Sequence, residues 1–127
     1  MSSALVWELV KKHNCFQRKN VKGMTFSAEA GNLYNKSSYK YSGVANAKTV
    51  HVEAEGDAVK FVVGRVKTAQ QPKKSKHAVV IKKNARAVIK AVGKQAASYR
   101  PDLKAAAQAR AAAVAKSIRV RKAKKTA

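Results

Sequence analysis

The sequence predicts an α+β fold: a small antiparallel β-sheet with an N-terminal helix, followed by basic C-terminal helices and a disordered basic tail. Three observations support this. Apolar residues recur at helical spacing near the start, β-branched residues alternate with polar ones from 49 to 67, and alanine-rich segments with helical periodicity follow residue 84. The predicted parts are a small α+β globular domain at 1–67, a basic loop and connector at 68–83, two basic Ala-rich helices at 84–118 and a basic tail at 119–127.

The first predicted helix covers residues 3–13. Two apolar pairs at i,i+4 spacing give it a stripe to bury, namely Leu5 with Leu9 and Val6 with Val10. Ser2 or Ser3 is a suitable N-cap. We expect this helix to pack against the sheet.

The predicted sheet has about four strands. The segments available to it are a hairpin at 15–28 around the turn Asn20-Val21-Lys22-Gly23, a strand at 38–42, a strand at 49–53 and a strand at 59–67. In the 38–42 strand, alternation puts Tyr39 and Tyr41 on one face, so these rings are expected to pack rather than to stack on bases. Residues 29–37 and 68–77 are predicted to be loops, and Glu55-Gly56-Asp57 a turn.

Two helices are predicted in the second half. Residues 84–97 have an apolar face made by Ala85, Val88, Ile89, Val92 and Ala96. Pro101 is expected at the first position of the next helix, and it forces Arg100 out of helical geometry. Arg110 lies on the thin apolar stripe of that helix, so we expect its stem to pack while its head reaches outward.

Charge is distributed very unevenly along the chain. There are 28 Lys and Arg residues against 6 Asp and Glu, a formal net charge of +22. Residues 1–63 hold 9 basic and 5 acidic residues, a net charge of +4, whereas residues 64–127 hold 19 basic and 1 acidic residue, a net charge of +18. Such one-sided charge opposes compaction, and a polyanion such as nucleic acid relieves the repulsion.

The candidate binding residues are therefore basic and lie in the second half. Arginines 86, 100, 110 and 119 are expected to form forked contacts with phosphate, and the lysines to act as point charges. The full predicted RNA-binding set is Lys73, Lys74, Lys76, Lys82, Lys83, Arg86, Lys90, Lys94, Arg100, Arg110, Arg119, Arg121, Lys122, Lys124 and Lys125.

Catalytic and metal chemistry are not expected. The three histidines are isolated in sequence, and no Gly-rich phosphate loop or zinc-ligand pair occurs. The acidic trio Glu53, Glu55 and Asp57 is interpreted as a solvated hairpin tip. The single cysteine, Cys15, is interpreted as a small core residue, and neither a cofactor nor a membrane span is expected.

Three blocks of sequence resemble the eukaryotic large-subunit ribosomal protein family numbered 28, which is distinct from the bacterial protein of that number. The blocks are Leu5, Trp7 and Val10 followed by Phe16; Asn32-Leu33 through Ser38, Tyr41, Gly43 and Lys48-Thr49-Val50; and Lys83-Asn84-Ala85-Arg86 with Tyr99-Arg100-Pro101-Asp102-Leu103. The last block is the most specific. Residues 68–77 and the last nine residues resemble the family only in being basic.

The resemblance implies an α+β structural protein of the 60S subunit that contacts large-subunit rRNA and neighbouring ribosomal proteins, without catalysis, cofactor or small-molecule substrate. It implies a location in the cytosolic ribosome, with assembly in the nucleolus. An alternative is a chromatin-type DNA-binding protein, because residues 111–127 alone resemble a linker-histone tail. The β-rich first half argues against that alternative, and the alanine-based helix faces are too small for a membrane-surface protein.

Overall fold

Residues 1–19 and 22–126 are described in a computed structural model of the chain. In this part, three α-helices and five strands occur. In chain order they are α1 (Ser3–Val10), β1 (Gln17–Lys19), β2 (Thr25–Ser27), β3 (Val50–Glu55), β4 (Ala58–Gly64), β5 (Lys76–Ile81), α2 (Ala85–Tyr99) and α3 (Lys104–Thr126). Two single-turn 3₁₀ helices, Val66–Thr68 and Pro101–Leu103, precede β5 and α3. The predicted α+β class is confirmed.

Two separate antiparallel sheets replace the single predicted sheet. Strands β1 and β2 form a hairpin in which Arg18 is opposite Phe26, as predicted. Of its turn, Asn20 and Val21 lie outside the described residues, and Gly23 has a positive φ of 75°. Strands β3, β4 and β5 form the larger sheet in that order. Val52 is opposite Phe61, which is opposite Val79 on the other side.

Strand β5 was not predicted, because its residues fall in the predicted basic loop and connector at 68–83. The alternating burial of Val79 and Ile81 against exposed Ala78 and Val80 is typical of a strand with one packed face. The predicted turn at Glu55-Gly56-Asp57 is confirmed, and the preceding and following strands match the predicted ones within a few residues.

The hydrophobic core lies between one face of the larger sheet and the two long helices. Val50, Val52 and Phe61 from the sheet are at most 3% exposed. They belong to one buried cluster with Val92 of α2 and Ala107 of α3. Burying an aliphatic or aromatic side chain of this size stabilises a fold by about 1.5–3 kcal/mol, so this layer is the main source of stability.

Helix α1 contributes no residue to the core. Ser2 caps it by accepting a hydrogen bond from Leu5 N at 3.3 Å, as predicted. Its packed side faces the following loop, where Trp7 lies 6.0 Å from the Tyr39 ring. The prediction that Leu5 and Leu9 are buried against the sheet is wrong, since these side chains are 51% and 67% exposed.

The segment at 38–42 is a series of turns, so the predicted strand is wrong. A buried carboxylate organises the loop around it. Glu29 is 5% exposed and accepts hydrogen bonds from Asn32 Nδ2, Ser42 Oγ and Val44 N. Gly43 lies so close to the Ala30 carbonyl that a Cβ there would collide with it. Polar contacts therefore determine the conformation of this loop, for which the alternation of side chains predicted a strand.

Helix α2 begins where the sequence predicts, whereas Pro101 opens a 3₁₀ turn and α3 itself begins three residues later, at Lys104. Asn84 Oδ1 caps α2 by accepting from Ala87 N at 2.9 Å. Arg100 is extended before Pro101, and the chain turns sharply between the helices. The prediction of a disordered tail from 119 is wrong as far as Thr126, because α3 continues to that residue. Ala127 lies outside the described residues.

The division into parts at 67, 83 and 118 stays a prediction about which segments fold together. Within the described part of the chain, none of the helices has the length and apolar character needed to cross a membrane.

Candidate nucleic-acid interface

Most of the predicted RNA-binding residues are on the surface. Thirteen of the fifteen are exposed, and the two exceptions are Arg100 and Arg110. On α2, Arg86, Lys90 and Lys94 follow one another at i,i+4 spacing, so they form a single outward stripe. The buried Val88 and Val92 lie on the other side of this helix. Packing of α2 on the sheet therefore fixes which face presents these charges.

Predicted RNA-binding residues from two distant parts of the sequence come together in space. Lys82 and Lys83, which follow β5, line the same surface depression as Lys122 of α3. A neighbouring depression is lined by Lys83, Lys116 and Arg119. Residues about 35 positions apart in sequence thus form one basic region at the start of α2. Lys73 and Lys74 lie in the turns between β4 and β5.

Arg100 uses its guanidinium inside the protein. Its Nη1 donates to Lys48 O at 3.0 Å and its Nη2 to Lys40 O at 3.2 Å. Its Nη2 also pairs with Asp102 Oδ2 at 2.6 Å, and its side chain is 14% exposed. The neighbouring Arg100 guanidinium lowers the pKa of the Asp102 carboxyl from its ordinary value. These contacts indicate that Arg100 ties the loop that contains Lys40 and Lys48 to the turn between α2 and α3, rather than holding phosphate.

Arg110 is partly buried on the packed side of α3. Its Nε is inaccessible to solvent and has no hydrogen-bond partner among the described residues. Burial lowers the pKa of His51; the Glu53 carboxylate opposes this change, and the positive charges of Arg110 and Lys76 add to it. The stem of Arg110 is thus packed, as its place on the apolar stripe predicts.

Acidic side chains are held by internal partners. Glu8 pairs with Lys11, and Lys60 lies between Glu53 and Glu55 at 3.2 and 3.1 Å. Asp57 lies 3.7 Å from Arg121 and 3.5 Å from Lys122. The glutamates and aspartate of this hairpin are 44–68% exposed, which agrees with the predicted solvated tip. No group of three metal-ligating side chains occurs in the described residues.

Few basic side chains are neutralised within the chain. Across residues 1–19 and 22–126, the Lys and Arg residues in ion pairs are Lys11, Lys60, Arg100, Arg121 and Lys122. Since the chain has 28 basic residues, most of the positive charge is available to an external polyanion.

The four tyrosines have partners within the protein. Tyr34 and Tyr41 make an edge-to-face pair with centroids 5.1 Å apart. Tyr39 Oη is 2.8 Å from Ser3 Oγ, and Tyr99 Oη donates to Gly64 O. Tyr41 and Tyr99 pack against the core, whereas Tyr34 and Tyr39 are each 41% exposed. The interpretation that the rings pack is therefore confirmed for Tyr41 and Tyr99 and stays a prediction for the other two, and no strand carries any of them. The interpretation of Cys15 as a core residue is wrong, because Cys15 is exposed.

Sequence reasoning missed Lys116, which joins the basic region at the start of α2. Helical spacing could have identified it, because Lys116, Arg119 and Lys122 are spaced at i, i+3 and i+6 and so share one helix face. The predicted end of the helix at 118 separated Lys116 from the other two.

The fold and surface define a class of protein, namely a small α+β protein with a strongly cationic helical face suited to polyanions. The chain belongs to the Ribosomal L28e protein family, whose pattern it matches over residues 5–117. This is a family of ribosomal proteins, not of enzymes.

Three curated relatives are named large ribosomal subunit protein eL28. The protein of Dictyostelium discoideum is 41% identical, over 98% of this chain and 99% of its own. The protein of Caenorhabditis elegans is 34% identical, over 98% and 95%. The protein of Schizosaccharomyces pombe is 29% identical, over 96% of each chain. The family resemblance seen in the sequence is confirmed.

Proposed function

We propose that this chain is a structural constituent of the large (60S) subunit of the eukaryotic cytosolic ribosome. It binds rRNA mainly through phosphate contacts, adjoins other ribosomal proteins and so supports translation. It joins the particle in the nucleolus. The observation that carries the RNA contact is the exposed basic face of α2 and α3, which has few internal counterions.

The proposed phosphate contacts are the exposed members of the predicted set, together with Lys116. Arg100 is left out because its donors are used by Lys40, Lys48 and Asp102. Arg110 remains as a contact only for its outer guanidinium nitrogens, since its Nε is buried. These contacts give affinity and position more than sequence specificity.

Salt dependence tests the phosphate mechanism. If six to ten phosphates are contacted, filter binding to large-subunit rRNA fragments is expected to weaken by about 10³–10⁵-fold between about 50 and 200 mM salt. The triple variant Arg86→Ala, Lys90→Ala, Lys94→Ala is expected to reduce the slope of log affinity against log salt by about three.

A matched control removes the same charge elsewhere. Arg18, Lys19 and Lys22 lie on the exposed N-terminal hairpin, and their replacement by alanine is expected to leave the slope nearly unchanged. Equal slopes for the two triple variants, or a flat salt dependence of the parent, would contradict the proposal.

The chromatin alternative finds no support in the comparisons, which identify ribosomal relatives. Cell fractionation separates the two functions directly. The proposal expects the protein in 60S particles and polysomes, and its recovery mainly with chromatin would overturn it.

A further inference from the structure

A cleft opens between α2 and α3 near the start of α2. Helix α3 continues past this point as far as Thr126, and the facing residues Ala112 and Ala115 are small. A space of about 430 Å³ lies there, bounded by Ala85 and Ile89 of α2 and by Val59 and Ile81 of the sheet. We call this space the α2–α3 cleft.

The cleft has an apolar floor and a cationic rim. The apolar floor is formed by the more accessible Ala85, Ile89, Ala112 and Ala115. Beneath them lie the buried side chains of Val59, Ile81, Val88 and Ile118. The rim carries Lys83, Lys116, Arg119 and Lys122. The acidic residue on the rim is Asp57, which lies 3.5 Å from Lys122 and 3.7 Å from Arg121.

The surroundings of the cleft extend this positive region. A second depression, lined by Lys82, Asn84 and Glu55, shares Asp57, Lys83 and Lys122 with it. Glu55 is paired with Lys60, so the lysines of this depression add to the positive charge. Asn84 caps the N-terminus of the 15-residue helix α2, whose dipole adds partial positive charge at the same place. An occupant is therefore expected to have an apolar planar or aliphatic part and at least one negative charge.

An unpaired nucleotide has this combination in one unit. In a continuous duplex the bases are stacked inside, so only the phosphates would meet the rim and the floor would remain in contact with water. A base turned out of a bulge or loop would lie on the aliphatic floor, and the flat guanidinium of Arg119 is suited to stack on it. The space falls within the roughly 300–1,000 Å³ typical of small-molecule pockets.

We propose that the α2–α3 cleft receives one unstacked nucleotide of an RNA strand, with the base on the alanine and isoleucine floor and the adjacent phosphates on Lys83, Lys116, Arg119 and Lys122. This inference rests on the proposed rRNA binding and adds to it a preference for interrupted over continuous helices. Phosphate contacts alone give no such preference.

The test compares two RNA hairpins that differ in one bulged 2-aminopurine nucleotide. The full-length protein is expected to bind the bulged hairpin about ten-fold more tightly, equivalent to about 1.4 kcal/mol. Methyl resonances of Ile89 and Ala112 are expected to shift with the bulged hairpin and not with the paired one, which needs no variant.

A variant that fills the cleft distinguishes the effect of its shape on RNA binding from the effect of its charge. Ala112 is exposed, so Ala112→Leu adds bulk to the floor without a change of charge and with little loss of helix propensity. This variant is expected to lose the ten-fold preference while it binds the paired hairpin like the parent. The control Ala113→Leu, at an exposed position that does not line the cleft, is expected to keep the preference.

The possible failures are distinguishable. Salt-sensitive binding of both hairpins with equal affinity would overturn the nucleotide cleft and leave the proposed function intact. Binding of neither hairpin would overturn both. A preference that survives Ala112→Leu, combined with poor entry of that variant into 60S particles, would assign the cleft to a side chain of a neighbouring protein instead.

Discussion

Arg100 Nη1 donates a hydrogen bond to the carbonyl oxygen of Lys48 at 3.0 Å, across 52 positions of sequence. With the contacts to Lys40 and Asp102, it ties the N-terminal loop to the chain reversal between α2 and α3. The neighbouring Tyr99 ring has Lys48 Nζ 5.5 Å from its centroid and donates from its hydroxyl to Gly64 O. The two consecutive residues thus fix the geometry of the helical region relative to the loop and the sheet.

Arg100→Ala is therefore expected to destabilise the free protein. Hydrogen bonds to charged groups contribute about 1.5–3 kcal/mol, and the loss leaves two carbonyls without their donor. Urea unfolding measures the change. Arg100→Lys is expected to recover only part of it, because lysine lacks the fork that spans both carbonyls. Unchanged stability with weakened RNA binding would instead make Arg100 a phosphate contact.

His51 predicts a pH dependence of stability. Burial lowers its pKa in the folded protein, with Arg110 and Lys76 acting in the same direction and Glu53 against it. As pH falls through the ordinary histidine value of about 6.5, the unfolded chain takes up the proton before the folded one. The free energy of unfolding is therefore expected to decrease between about pH 7.5 and 5.5.

His51→Gln tests this assignment. The difference in urea unfolding between parent and variant isolates this residue from His13 and His77. The variant is expected to show a shallower decrease over the same pH range. If the two proteins change in parallel, His51 is not the source.

The sequence correctly predicted the elements whose pattern is local. Its predictions were wrong where contacts with residues distant in sequence determine the structure. The start of α2 was predictable because its cap and apolar face are contiguous in sequence. Tyr39 and Tyr41 alternate as in a strand, yet their rings pair with Trp7 and Tyr34, which no periodicity indicates. Strand β5 was not predicted, because its first residues, Lys76 and His77, continue the basic composition of the preceding loop.

The candidate interface was predictable as composition but not as geometry. Charge identified the basic residues, and helical spacing identified the Arg86, Lys90 and Lys94 stripe. Neither charge nor spacing could distinguish Arg100 from the exposed phosphate-binding candidates, because its acceptors Lys40 and Lys48 are more than 50 residues away. The α2–α3 cleft depends on how two helices and the sheet pack together, so it has no signature within any one segment.

The end of α3 is expected to open easily in the free protein. The segment 119–126 is exposed throughout and carries five basic residues that repel one another. Its contacts with the β3–β4 turn are Arg121 Nη2 to Gly56 O and the two ion pairs of Asp57. Exposed ion pairs contribute about 0–1 kcal/mol each. Amide hydrogen exchange is expected to be much faster here than around Ala107 and Ala111, and rRNA is expected to slow it.

Asp57→Asn is expected to speed exchange in 119–126 by up to about five-fold, the equivalent of about 1 kcal/mol. Glu8→Gln, which removes a remote ion pair with Lys11, serves as the control. Equal protection of 119–126 and the middle of α3 in the RNA-free protein would contradict the expectation.

Helix α2 separates stability from RNA binding on its two faces. Ile89 is half-buried against the core cluster, so Ile89→Asp puts a carboxylate where an apolar side chain packs. It is expected to lower the free energy of unfolding by about 2–4 kcal/mol, and circular dichroism melts measure the loss.

Arg86→Ala with Lys90→Ala removes only exposed charge and relieves repulsion within a chain of net charge +22. That double variant is expected to melt at the same temperature as the parent or higher. Both changes are expected to impair incorporation into 60S particles, the first by loss of folded protein and the second by loss of phosphate contacts. If the charge-removed protein binds rRNA as tightly as the parent across a salt series, α2 does not face RNA.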